Sequence, residues 1–185
     1  QPPIDDGGEA YSWVHFGEDV AAVARELDLR GVVGIGHSMG GHSVTMAAGL
    51  EPERFAALVL VDPVIARVIR ARDVESGGPS FVARRRDQWA SAEEMFDRFR
   101  SREPHSRWDR QVLHDYCEYG LLPNTDGDGF HLACPPATEA MIYTMSSHDL
   151  HDTIRQMEIP ARVLRARPPD SSNPAAAFDG SPTDP

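Results

Sequence analysis

Between residues 13 and 27, apolar side chains recur at Trp13, Phe16, Val20, Val23 and Leu27, with Glu18, Asp19, Arg25 and Glu26 among the other positions. Spacings of three and four residues predict a helix with these five on one face. Ser12 precedes the pattern as a suitable N-cap, and Gly31 follows it as a stop. The period then changes. Val32-Val33-Gly34-Ile35-Gly36 is a short continuous apolar run, the mark of a strand covered on both faces. A second helix is expected from Met39 to Leu50, ended by Glu51-Pro52, and Ala57-Leu58-Val59-Leu60-Val61 is a second buried strand closing at Asp62-Pro63. Strand, helix and strand in this order form a βαβ unit, so the two strands should be parallel and the crossover right-handed.

From about residue 66 to 156 helical patterns dominate, with segments at 92–100 and 110–119 broken by Gly77-Gly78-Pro79, Pro104 and Leu122-Pro123-Asn124. Most of the large aromatic residues lie here: Trp89, Trp108, Tyr116, Tyr119 and Tyr143. A third strand is expected at 161–166, after Ile159-Pro160, and the stretch 168–185 carries five prolines and no period. The organisation predicted is a partial α/β core over 1–65, a helical insertion over 66–156, a return to the core over 157–170 and an irregular tail over 171–185. The fold class is α/β, a doubly wound parallel sheet with a helical insertion.

Composition narrows the function. Among 185 residues, 29 acidic side chains against 18 basic ones leave a formal charge of −11, which opposes nucleic acid and anionic lipid as partners. Every basic residue is arginine, so a catalytic or phosphate-anchoring lysine is excluded. No apolar run approaches the roughly 20 residues of a membrane span. Cys117 and Cys134 have no metal-ligand spacing and are expected to be reduced packing residues in a cytoplasmic protein.

Gly36-His37-Ser38-Met39-Gly40 is a Gly-x-Ser-x-Gly sequence between a predicted strand and a predicted helix. A sharp turn there strains the serine backbone and lifts its hydroxyl above the sheet, beside the first amides of the helix. Gly36 and Gly40 are expected to keep the two backbones close, with Gly41 and Ser43 keeping the first turn small. The Met39 N–H is placed to stabilise an oxyanion. A phosphate-binding turn is the other reading of such glycines. However, a dinucleotide fingerprint is spoiled by Met39, and a P-loop would need lysine.

With its flanking helix and Leu-Val-Leu-Val-Asp-Pro strand, the stretch 11–63 resembles the centre of the α/β-hydrolase family, with Gly-His-Ser-Met-Gly-Gly as the nucleophile elbow. The resemblance implies that 32–36, 57–61 and 161–166 are the fifth, sixth and seventh strands, and that the helical stretch is the family's cap. It implies a triad in the order Ser, acid, His. Asp62, at the end of the sixth strand, and Asp170, beyond the seventh, both qualify as the acid. No histidine follows the seventh strand. His37 and His42 flank the elbow as packing residues, while His105, His114, His131, His148 and His151 fall in the insertion. The chain therefore reads as the middle of a longer hydrolase, without the first four strands, the second oxyanion donor or the triad histidine. An unpaired apolar strand edge is expected to make it poorly stable or prone to aggregate alone.

The function so implied is cleavage of small-molecule carboxylic esters through an acyl-enzyme at Ser38, with no cofactor. Thioesterase, acyltransferase, carbon–carbon hydrolase and perhydrolase chemistry are alternatives, as is a non-catalytic ligand-binding relative. Lesser signals read blandly. Asn124-x-Asp126-x-Asp128-Gly129 is a turn, since Pro135 stands where a calcium loop needs glutamate. Arg84-Arg85-Arg86 is a solvated helix face, and the insertion's aromatics are core residues or an apolar acyl pocket.

Overall fold

The computed structural model describes residues 11–65, 82–144 and 148–166. The chain divides into two compact units, one from Gln1–Asp73 with Met145–Pro185 and one from Val74–Thr144.

In the first unit α1 (Trp13–Glu26) leads into β1 (Val32–His37), α2 (Met39–Leu50) and β2 (Phe55–Val61). The Ser12 hydroxyl caps α1 by accepting from the Val14 N–H. β1 and β2 pair in parallel, from Val32 opposite Phe55 to His37 opposite Val61. A third strand, numbered β6 (Ala161–Leu164) in chain order, pairs in parallel with the far side of β2. The sheet order is therefore β1–β2–β6. The core forms where Val44, Ala47 and Ala48 of α2 meet Phe55, Leu58 and Leu60 of β2, with Ala21 of α1 joining them.

Two expectations about burial change. The buried face of α1 carries Trp13, Gly17, Ala21 and Ala24, while Val23 and Leu27 are exposed. Small residues let α1 approach α2 closely, since a Cβ on Gly17 would lie 2.6 Å from the Met46 sulfur. Val23 and Leu27 are left at the margin. β1 is covered on one face only: Gly34 and Gly36 are buried, but Val33 and Ile35 are 54% and 71% exposed. Among the described residues β1 has no neighbour on its outer side, as the sheet order requires.

Arg54, the buried last residue of the 3₁₀ turn Pro52–Arg54, ties these pieces together. Its guanidinium donates to the carbonyls of Ala24 and Leu29 and to the carboxylates of Asp28 and Glu51.

The second unit holds a small antiparallel sheet of order β3–β5–β4, formed by β3 (Gln88–Trp89), β4 (Leu121–Pro123) and β5 (Phe130–Leu132). Its helices are α3 (Ala92–Phe99), α4 (Arg110–Tyr119) and α5 (Pro136–Thr144). Ser91 caps α3 through the Glu94 N–H, and the Glu94 carboxylate reaches back to the Ala90 N–H. This reciprocal pattern satisfies two donors at once. Asp109 caps α4 by accepting from the Gln111 and Val112 N–H groups. Trp89, Met95, Leu113, Cys117, Leu121 and Leu132 form the core. Cys117 is thus a packing residue, whereas Cys134 is exposed. Residues 124–129 form the β4–β5 loop, where the Asn124 side chain donates to the Asp128 carbonyl.

The helix α6 (His151–Gln156) lies within the stretch expected to be insertion, yet it packs on α2, with Thr153 against Gly49. It belongs with the parallel sheet. The tail and the Gly77-Gly78-Pro79 break lie outside the described residues. No helix among the described residues is long and apolar enough to cross a membrane.

Candidate active site

The carboxyl ends of β1 and β2 carry the chemistry-bearing residues. Ser38 forms the single-residue turn between β1 and α2, with φ 52° and ψ −121°. That left-handed conformation is costly for any side chain but glycine. Its cost is met by a dense backbone network. The Ser38 N–H donates to the Val61 carbonyl at 3.1 Å, and the Ser38 carbonyl accepts from Gly41 at 3.0 Å, His42 at 3.3 Å and Val64 at 3.1 Å.

A serine at a helix N-cap ordinarily spends its hydroxyl on an amide of the first turn. Ser38 occupies that position in α2 and makes no such bond. The backbone turn directs its Oγ elsewhere, and the hydroxyl stays uncommitted among the described residues. Beside it, the Met39 and Gly40 amides open α2 and have no acceptor within the helix, so they carry the positive end of its dipole. Ser43 and Thr45 do spend their hydroxyls, on the carbonyls of Met39 and Gly41 at 3.0 and 2.8 Å.

The glycines divide unequally. A Cβ on Gly36 would press on the Gly40 carbonyl and lie 2.7 Å from the Gly41 Cα. On Gly41 it would lie 2.6 Å from the Pro63 Cβ. A Cβ on Gly40, in contrast, would have nothing within 4 Å among the described residues. Close approach therefore demands Gly36 and Gly41, and the expectation for Gly40 is corrected: no described residue crowds the helix there.

Asp62 stands one residue beyond the Val61 that pairs with His37, at the same sheet edge as Ser38. It too has a positive φ, 45°. Its N–H donates to the Leu164 carbonyl at 2.6 Å, and its Oδ1 accepts from Ala166 at 3.2 Å. This carboxylate thus secures the exit of β6, which leaves its other oxygen for further partners. Asp170 lies outside the described residues.

The two elbow histidines differ. His37 is the exposed last residue of β1. His42 is fully buried, edge-on to Trp13 at 5.2 Å between ring centres, and its Nε2 donates to the His148 carbonyl at 3.1 Å. Burial lowers its pKa below the ordinary histidine range. His42 therefore serves as a packing residue behind the turn. Among the other histidines, His151 pairs with Asp149 at 2.6 Å and His131 with Asn124 at 3.1 Å. No group of three potential metal ligands occurs among the described residues.

Sequence reasoning missed a feature of the second unit. The arginine run 84–86 lies past the end of a short helical turn rather than on a helix face: Arg84 is exposed as expected, but Arg85 is ion-paired with Glu139, and the exposed Arg86 lies over the Trp89 ring at 4.1 Å while pairing with Glu94. Together with aromatic residues of the same unit Arg85 and Arg86 line a cavity of about 690 Å³. Three consecutive arginines three residues ahead of a tryptophan were the available signal.

A strained serine between a buried parallel strand and a helix, its oxygen free beside two unpaired amides, defines an α/β protein of the hydrolase type. The chain belongs to the alpha/beta hydrolase family, whose model matches residues 5–181. Over 89 residues it is 35% identical to a type I acyl-CoA thioesterase, mpaH, of Penicillium brevicompactum, a match covering 45% of this chain and 21% of that protein. Over 87 residues it is 38% identical to a non-heme chloroperoxidase of Streptomyces lividans, covering 46% of this chain and 27% of the relative. Among solved structures, E-2-(acetamidomethylene)succinate hydrolase shares the fold with a TM-score of 0.67 at 19% identity. That match covers 95% of this chain and 63% of the hydrolase. The chain thus matches about a quarter of the length of these curated relatives.

Proposed function

We propose that Ser38 is the nucleophile of a serine hydrolase acting on small-molecule carboxylic esters. The observation that supports this most is the N-cap serine that does not cap, held at φ 52° by four backbone hydrogen bonds. Ser38 Oγ forms a bond to the acyl carbon as a general base takes its proton. The Met39 N–H donates to the oxyanion. Collapse of the tetrahedral species breaks the ester C–O bond, the alcohol leaves with the proton, and water then releases the acid by the same steps in reverse roles. No described residue hydrogen-bonds Ser38 Oγ, so in this reading the base comes from outside the described residues, oriented by Asp62 or Asp170. The helical unit is read as the family's cap.

A second reading, thioester cleavage, draws support from the 35% identity to an acyl-CoA thioesterase. The test is labelling of the natural full-length protein by a fluorophosphonate, with S38A as control. Adduct at Ser38 alone is the expected result, and a folded protein that resists the probe overturns the proposal. Matched oxyester and thioester substrates then separate the two readings by kcat/KM.

A further inference from the structure

The chain leaves the parallel-sheet unit after β2 and returns to it ahead of α6, and both passages are anchored within about one turn of Ser38. On the way out, the Val64 N–H donates to the Ser38 carbonyl at 3.1 Å. Pro63 beside it stands 2.6 Å from where a Cβ on Gly41 would lie. On the way back, the His148 carbonyl accepts from His42 Nε2–H at 3.1 Å. The His42 N–H in turn donates to the same Ser38 carbonyl at 3.3 Å. The carbonyl of the strained residue thus gathers bonds from Gly41, His42 and Val64, and one side chain extends that network to the returning chain. Beyond His148, Leu150 is buried and Thr153 packs on Gly49. Gly49 stands seven residues after His42, on the same face of α2.

Histidine is a costly choice for filling this space. With Nε2–H as the donor, the neutral ring keeps a lone pair at Nδ1. That atom is buried without a partner among the described residues. Burying an unpaired polar atom costs stability, and a leucine would fill the site without that cost. What a leucine lacks is the donor for the His148 carbonyl. The Trp13 ring, edge-on at 5.2 Å, packs against the imidazole that presents it.

We propose that His42 is a positioning residue for Ser38: its Nε2–H fastens the chain returning from the helical unit to the turn that carries the nucleophile. The role rests on the reading of Ser38 as nucleophile and adds that the turn keeps its reactive geometry only while both passages are tied. Without the donor, the returning chain is released from α2 at its polar attachment nearest Ser38. The bond from His42 N–H, the longest of the three on the Ser38 carbonyl, is the first to slip. Misplacing a reacting group by about 1 Å can cost about 100-fold in rate, so a shift of half that size costs about tenfold.

The test is the second-order rate of fluorophosphonate labelling of the natural full-length protein, joined to amide hydrogen exchange read by mass spectrometry. H42L fills the space without a donor. It should label about tenfold more slowly, and peptides containing Val64 or residues 148–150 should exchange faster. H42M, also without a donor but more pliant, should behave alike, so the result does not hang on one packing arrangement. H42Q retains a donor and should label within about threefold of wild type. R54Q controls for lost stability, because Arg54 is buried at the opposite end of β2 from the Ser38 edge. It should lower the urea midpoint and label at the wild-type rate. Wild-type rates in H42L and H42M, an equal loss in H42Q, or equal slowing in R54Q would each overturn the proposal. A wild-type protein that does not label overturns the nucleophile reading and this role with it, whereas a labelled wild type with unaffected variants overturns this role alone.

Discussion

Replacing Gly36 by alanine tests the geometry of the elbow directly. The added Cβ meets the Gly40 carbonyl carbon at 2.6 Å and the Gly41 Cα at 2.7 Å, where carbon atoms ordinarily rest about 3.5–4.0 Å apart. These neighbours are backbone, so no side chain can swing away. The start of α2 must retreat by about 1 Å. Retreat strains the bonds from Ser38 N–H to Val61 and from Val64 N–H to Ser38, both 3.1 Å. Overpacking costs about 1–3 kcal/mol and a weakened hydrogen bond about 1 kcal/mol, so G36A should destabilise by about 3 kcal/mol. For a domain of this size that lowers Tm by roughly 6–12 °C. Gly40 lies in a helix where a Cβ would have nothing within 4 Å among the described residues, and G40A should raise stability by up to about 1 kcal/mol. Circular-dichroism melts and urea midpoints of both variants measure the contrast. A G36A melt within about 2 °C of wild type, or equal losses in the two variants, would refute the reasoning.

Ser38→Gly should raise stability by about 1 kcal/mol, by relieving the left-handed backbone, and abolish fluorophosphonate labelling; a lower urea midpoint would contradict the strain argument. His42 is kept neutral by burial, so the folded chain refuses a proton that the unfolded chain accepts near pH 6.5 (roughly). Its contribution is therefore complete above that pH and is lost as the pH falls toward the lowered folded value. His42→Gln, which retains a donor for the His148 carbonyl, should flatten the fall of the urea midpoint between about pH 7 and pH 5, and an unchanged slope would assign that fall to other groups. The 185-residue chain, with Ile35 71% exposed on an edge strand, should self-associate, and Ile35→Thr should reduce this in analytical ultracentrifugation. Sedimentation of the unmodified chain as a clean monomer would show that the exposed face is harmless.

Much of the fold follows from signals a few residues long. The period of two or fewer at 32–36 and 57–61, the helical spacing of α1 and the breaks at Gly31 and Glu51-Pro52 are written locally. The parallel pairing of β1 and β2 follows from chain chirality once the elements are known. Gly36 could be read as indispensable because a strand turning at once into a helix leaves no room for a side chain, whatever surrounds it.

Other features depend on what lies across a contact. Which face of α1 is buried was decided by α2, whose Met46 lies against Gly17 and whose Val44, Ala47 and Ala48 pack with Ala21, leaving Val23 and Leu27 outside. Pro63 makes Gly41 necessary, while a Cβ at Gly40 would meet nothing among the described residues. The packing of Thr153 on Gly49 draws α6 to the parallel sheet. Three arginines became part of a pocket or of the surface according to the positions of Trp89, Glu94 and Glu139. Local sequence carries backbone preference and periodicity, whereas burial and charge compensation are properties of pairs of atoms brought together from distant positions.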